Sequence, residues 1–259
     1  MLLVYFLISI LATTLGAMAG LGGGVIIKPL LDFLGDFNLS TISVLSSATV
    51  FSMAIVSIIK QIRYKVDIQV KKTVLIGFGS IFGGLFGEQI LRFILSKFDT
   101  NLVMIVQNGT LAALLILIYI YMNNKSKFKS YNVQNSIVCL IIGVVLGLVA
   151  SFLSIGGGPI NVCILTIFFS MEAKEAAVNS IITILFSQGS KLTTIALTTG
   201  FSSLDLSMLP VMIVGGILGG LIGSKFNKVF SNDIILRVFN IVVAALILLN
   251  IYNVIAAVI

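Results

Sequence analysis

Two glycine triplets, Gly22-Gly23-Gly24 and Gly156-Gly157-Gly158, each lie inside a long apolar run. Glycine costs a helix interior about 1 kcal/mol relative to alanine, so three in a row break a helix. A backbone opened in hydrocarbon leaves N–H and C=O groups unpaired, and it survives only where protein or a wet cavity surrounds it. Beyond such a break the first N–H groups of the next half-helix have no intrahelical partner, and the helix dipole places positive potential there. The chemistry on offer is anion recognition by backbone donors, helped by the nest that successive glycine amides form. Two breaks meeting at the membrane midplane would present donors from both sides.

Side chains in the same runs extend the candidate site. Ser46, Ser47 and Thr49 follow the first break, and Asn179, Ser180 and Thr183 occupy the matching window after the second. Asn161 follows the second triplet, Gln107 and Asn108 sit in the fourth run, and Gln188 in the sixth. The substrate-binding set expected from the sequence is Gly22, Gly23, Gly24, Gly156, Gly157, Gly158, Ser47, Thr49, Asn108, Asn161, Asn179, Thr183 and Lys28. A membrane serine or threonine bonds its own helix more often than a ligand. For Asn108, Asn161 and Asn179, an inter-helix bond and a ligand contact stand level. Lys28 either adds positive potential to the site or snorkels to the surface. Lys191 is similarly ambiguous. Glu88 and Arg92 have the spacing of a helical ion pair, which is preferred over a proton-carrying role for Glu88.

The composition states what must position these residues. Hydrophobic residues make up 58% of the 259, charged residues 10%, and the mean hydropathy is +1.18. A soluble domain carries roughly 25% charged residues. The chain is expected to be an all-α, polytopic membrane protein in the lipid bilayer. The net charge of +7 sits in short loops and is no nucleic-acid footprint. With no histidine and no nucleophile–base pair, carboxylate dyad or phosphate loop, neither enzymatic chemistry nor a metal or cofactor is expected. Cys139 and Cys163 lie in apolar segments and are expected to be buried packing thiols. The N-terminus has no basic n-region, so no cleaved signal peptide is expected.

Apolar runs fall at 1–34, 40–59, 73–95, 102–122, 135–170, 176–199, 207–224 and 234–259. Those at 1–34 and 135–170 are too long for one span of about 20 residues, so each should be two helical pieces joined at its break. The chain also repeats itself. Val66-Asp67-Ile68 matches Leu204-Asp205-Leu206, Gly79, Gly83, Gly84 and Gly87 match Gly215, Gly219, Gly220 and Gly223, and Ala112-Ala113-Leu114 matches Ala244-Ala245-Leu246. With the triplets these are four anchors in one order. They divide the chain into a first membrane repeat at 1–122, a basic cytoplasmic linker at 123–134 and a second repeat at 135–259. The glycines at spacing four are expected to be packing stripes.

Positive charge orients the repeats. If every run crosses fully, the loop charges divide eight to six. If the two broken runs enter and return on one side, Lys174, Lys225, Lys228 and Arg237 join Lys60, Arg63, Lys65, Lys71, Lys72 and the linker lysines 125, 127 and 129 inside, and only Arg92 and Lys97 remain outside. Twelve against two fits the positive-inside rule far better. Each repeat is then a re-entrant, glycine-broken helical hairpin plus three transmembrane helices. The second repeat is inverted relative to the first, as in several secondary transporters.

The glycine break in the first run, its copy in the fifth, the hydrophobic-Asp-hydrophobic loop and the G-x-x-x-G-G-x-x-G run together resemble the TauE/SafE family. These are sulfite/organosulfonate exporters and related permeases, also called the 4-toluene sulfonate uptake permease (TSUP) family. The resemblance covers nearly the whole chain. It implies a multi-pass cell-membrane transporter of small sulfur-containing anions such as sulfite, sulfonates or thiosulfate, with the two glycine segments lining the path. This sequence departs from internal symmetry at Pro29, which aligns with Cys163, and at Pro159, which directly follows its triplet. An anion channel and a non-transporting membrane scaffold stand as alternatives. A coupling proton or sodium ion and an oligomeric state are left open.

Overall fold

The computed structural model describes residues 2–64 and 69–258, so Lys65 and the Val66-Asp67-Ile68 anchor lie outside the described residues. Helices account for nearly all of it: α1 Leu2–Ala19, α2 Gly24–Leu34, α3 Leu39–Arg63, α4 Val70–Lys97, α5 Thr100–Asn123, α6 Ser136–Phe152, α7 Gly158–Phe169, α8 Ala173–Thr198, α9 Leu209–Val229 and α10 Asn232–Val258. No strand occurs among the described residues. Seven of these helices are long and apolar enough to cross a membrane, whereas α6 and α7 are shorter apolar helices. The two long runs are split as their length required, α1 from α2 and α6 from α7. Large apolar side chains such as Leu3, Phe82, Phe93, Leu197 and Leu248 face outward, as a lipid-facing surface requires. This is a multi-pass membrane protein.

Polar residues at the run edges start the helices. Asn38 accepts the Thr41 amide at 2.8 Å, Asp99 the Asn101 amide at 2.8 Å and Asn135 the Ile137 amide at 2.9 Å. These are side-chain caps that satisfy otherwise orphaned donors.

The glycine stripes decide which helices touch. A Cβ at Gly79, Gly83 or Gly87 would fall 2.2, 2.0 or 2.4 Å from the carbonyl oxygens of Leu140, Val144 and Leu148, so α4 lies directly on the backbone of α6. A Cβ at Gly219 would fall 2.0 Å from Thr13 Oγ1 and one at Gly223 2.2 Å from Thr14 O, so α9 lies on α1 in the same way. Each stripe therefore packs on a helix from the other half of the chain. The remaining contacts interchange likewise: α3 meets α9 as α8 meets α4, α2 meets α10 as α7 meets α5, and α5 meets α10.

Hydrogen bonds tie the two ends of each broken pair together. Tyr5, in the first turns of α1, donates to Asp36 Oδ2 at 2.5 Å just past the end of α2, and its ring meets Phe37. The Tyr131 and Val133 amides, ahead of α6, donate to the Ile167 and Phe168 carbonyls at the end of α7, at 2.7 and 2.9 Å.

Basic residues collect at one end. Lys125 Nζ donates to Met171 O at 3.3 Å, Lys174 Nζ to Lys228 O and Phe230 O at 2.9 and 3.1 Å, and Lys228 stands 4.3 Å above the Tyr64 ring. The chain segments after α3, α5, α7 and α9 thus share that end. At the opposite end Arg92 Nη1 donates to Thr198 Oγ1. There the exposed Asp205 carboxyl accepts the Ser207 amide at 3.0 Å, which holds it below the usual carboxylate range.

Candidate functional site at the two helix breaks

The three glycines of each triplet do different work. Gly23 and Gly157 are the residues before α2 and α7, with φ of 75° and 74°, a conformation that strains any residue bearing a Cβ. Gly24 and Gly158 are contact points between the breaks. A Cβ at Gly24 would lie 2.6 Å from Ile155 O, and one at Gly158 only 1.9 Å from Leu21 O. Gly22 and Gly156, with φ of 78° and 76°, both face Ile184 of α8. The breaks therefore press against each other, each start of a half-helix on the other break's backbone, with Leu21 and Ile155 fully buried between helices. Among the described residues, no side chain caps α2 or α7. Their first amides are the orphan donors of a helix start. Pro159 carries no N–H, so the second break offers one donor fewer than the first.

The polar side chains divide into two groups. Beside the breaks, Ser46 Oγ lies 3.3 Å from the position of a Gly24 Cβ, Asn161 Oδ1 3.2 Å from that of Gly157 and Gln188 Nε2 3.7 Å from that of Gly156. Ser47 Oγ, Asn161 Oδ1 and Gln188 Nε2 are buried and have no hydrogen-bond partner among the described residues. Each such group in an apolar interior is costly unless something binds it. Ser180 Oγ ties the breaks together, donating to Gly20 O at 2.8 Å and Gly158 O at 3.5 Å.

The second group is already engaged. Thr49 donates to Leu45 O at 2.7 Å and Thr183 to Asn179 O at 3.3 Å, both within their own helices. Asn179 accepts from Thr73 Oγ1 and donates to Glu175 O, joining α8 to α4. Asn108 Nδ2 reaches Asp32 Oδ2 at 3.4 Å, while its Oδ1 has no partner among the described residues. Lys28 does not snorkel. Its Nζ lies 2.7 Å from Asp32 Oδ2, one helical turn on, and both side chains are 1% exposed.

A third cluster stands just beyond the second break, away from the basic end. The expected Glu88–Arg92 pair is present at 3.5 Å, and Lys191 joins it with Nζ 3.6 Å from Glu88 Oε2. Lys191 is wholly buried and also donates to Ser154 Oγ at 3.1 Å and Ser151 O at 3.4 Å. Ser154, two residues before the second triplet, holds φ of 57° and lies 3.2 Å from Ser43 Oγ. Sequence reasoning left Lys191 undecided and omitted Ser43 and Ser154 from the candidate set. Their meeting joins α3, α8 and the second break, and no local spacing encodes it. A cavity of about 140 Å³, lined by Ser43, Glu88, Arg92, Thr199 and Ser203 among others, leads to this cluster from the end opposite the basic residues. Cys139 and Cys163 are free and buried.

No curated protein and no solved structure matched the chain. A protein-family model described as Sulfite exporter TauE/SafE matches residues 5–250, which include both breaks, both glycine stripes and the basic segment 123–134. Since that match takes in essentially the whole chain, the protein belongs to the TauE/SafE family.

Proposed function

We propose that this protein is a secondary transporter of small sulfur-containing anions, of the sulfite, organosulfonate and thiosulfate class, and that it holds the anion at the membrane midplane between the two glycine breaks. The observation that carries the reading is the face-to-face contact of the breaks, Gly24 on Ile155 and Gly158 on Leu21, with unpartnered Asn161 and Gln188 atoms buried beside them. Orphan amides at helix starts favour an anion over a cation or a neutral solute. The family's description names sulfite export, which supplies the class of anion.

In this reading α1–α2 and α6–α7 are re-entrant hairpins, which the Tyr5–Asp36 bond and the pairing of Tyr131 and Val133 with Ile167 and Phe168 support. Three spans then complete each repeat, 1–122 and 135–259, and the second is inverted. The interchange of helix partners between repeats is what a twofold axis in the membrane plane would produce. The basic end, with the linker 123–134, faces the cytoplasm, and both termini face outward. Rocking of one repeat against the other around the breaks gives alternating access.

Flux of sulfite, thiosulfate and 4-toluenesulfonate into proteoliposomes tests the function. Saturable uptake that is accelerated by unlabelled anion trapped inside is expected. Single-channel currents would make the protein a channel instead, and no flux of any of the three would reject transport of this class.

A further inference from the structure

Buried charges inside a membrane domain are costly and are kept where they move or bind something. Lys191 has two kinds of partner, the Glu88 carboxylate at 3.6 Å and the hydroxyl of Ser154 at 3.1 Å, at the second break. Glu88 lines the cavity that opens at the end opposite the basic residues, and its Oε2 has no hydrogen-bond partner among the described residues. The Glu88 side chain and the cavity are thus adjacent, and the buried Oε2 faces the Lys191 ammonium, next to the proposed anion site. From this geometry we infer that Glu88 is a proton-coupling carboxylate that gates Lys191. When charged it holds the ammonium, and when protonated it releases Lys191 to the anion at the second break. Anion and proton then bind together. This rests on the transport function proposed above and adds its coupling ion.

The surroundings of Glu88 leave few competitors for that role. On its own helix Arg92 pairs with Oε1, and Lys97 lies at the helix end. The α6 face packed on α4 carries no Asp, Glu, Lys or Arg, and α8 contributes Lys191 alone at this level. Along α5, Asp99 caps the first turn. Asp205, in the loop after α8, is exposed and accepts the Ser207 amide. Lys28 is paired with Asp32. The proton arrives from the cavity side onto the Glu88 carboxylate and leaves by the same carboxylate once the site has turned to the other side. No bond other than O–H is made or broken.

The test uses the purified full chain, with thiosulfate, 4-toluenesulfonate and sulfite as probes and affinity measured from pH 8 down to pH 5. For wild type, affinity should rise as pH falls, approaching about tenfold per pH unit where one proton is linked to one anion. Glu88→Gln should bind at pH 8 as wild type does at low pH, with a flat profile. The ratio of variant to wild type cancels the ionisation of sulfite itself. Glu88→Gln/Lys191→Gln removes both charges, so neither is stranded, and it should bind roughly tenfold or more weakly than Glu88→Gln at every pH. Should Glu88→Gln not fold, the double variant against wild type still reads the slope, which must be lost. A wild-type slope in either variant, or a double variant that binds as well as Glu88→Gln, overturns the inference alone. If wild type neither binds nor carries any of the three anions, the transport function fails and this inference falls with it.

Discussion

At the scale of the residue, the buried Lys28–Asp32 pair obeys a different logic from a surface ion pair. Both partners are 1% exposed, so each keeps the other from being an uncompensated charge in an apolar interior. Asp32→Asn should therefore destabilise the protein by about 3–5 kcal/mol, whereas Lys28→Met/Asp32→Asn, which removes both charges, should recover most of that loss. Thermal unfolding in detergent measures both. A double variant no more stable than Asp32→Asn alone would mean that the pair does not act as a unit. The spacing of four between Lys28 and Asp32 is as plain in the sequence as that between Glu88 and Arg92. What the sequence does not carry is burial. A lysine one turn beyond a helix break reads equally as a site charge or a snorkelling one until its surroundings are known. Lys191 is further from legibility, because Glu88 and Ser154 reach it from other helices.

At the scale of the element, the glycine pattern was legible and its partner was not. Spacing of four marks Gly79–Gly87 and Gly215–Gly223 as faces for close approach, yet nothing local says that α4 rests on α6 and α9 on α1. The carbonyls of Leu140, Val144 and Leu148 are what those glycines accommodate. Gly83→Leu and Gly219→Leu should each sharply lower the yield of monodisperse protein, since a Cβ already falls 2.0 Å from Val144 O or Thr13 Oγ1. Gly109 makes the contrast, with no atom of the described residues within 4 Å of its Cβ position, and Gly109→Ala should be neutral or gain up to about 1 kcal/mol. Size-exclusion yield and melting temperature of the three variants decide it. Normal yield for both leucine variants would show that the stripes are not interfaces. The breaks were similarly half legible. Their position follows from glycine and run length, but the division of each triplet into a contact glycine, a capping glycine and one facing Ile184 depends on the other break being there.

At the scale of the whole molecule, composition was enough to specify a multi-pass membrane protein, and loop charge was enough to propose its orientation. The bonds of Lys125, Lys174 and Lys228 gather those charges at one end, as that orientation needs. Cys139 and Cys163 are buried, so single cysteines introduced at the exposed Ser231 and Ser203 can be labelled against a silent background. Ser203→Cys should react with an impermeant maleimide from outside intact cells and Ser231→Cys only after permeabilisation. Outside labelling of Ser231→Cys would reject the re-entrant topology.

Negative charge placed between the breaks tests whether the anion sits there, without disturbing the tight glycine contacts. Asn161 and Gln188 flank Gly157 and Gly156, and each holds a buried polar atom that no described residue satisfies. Asn161→Asp and Gln188→Glu keep side-chain size and add a charge that repels an anion. In counterflow of thiosulfate, sulfite and 4-toluenesulfonate with purified protein in liposomes, both variants should incorporate as wild type does and lose at least about tenfold in uptake, the effect of roughly 1.4 kcal/mol or more of lost affinity. Wild-type counterflow by folded Asn161→Asp and Gln188→Glu proteins would place the anion away from the two breaks.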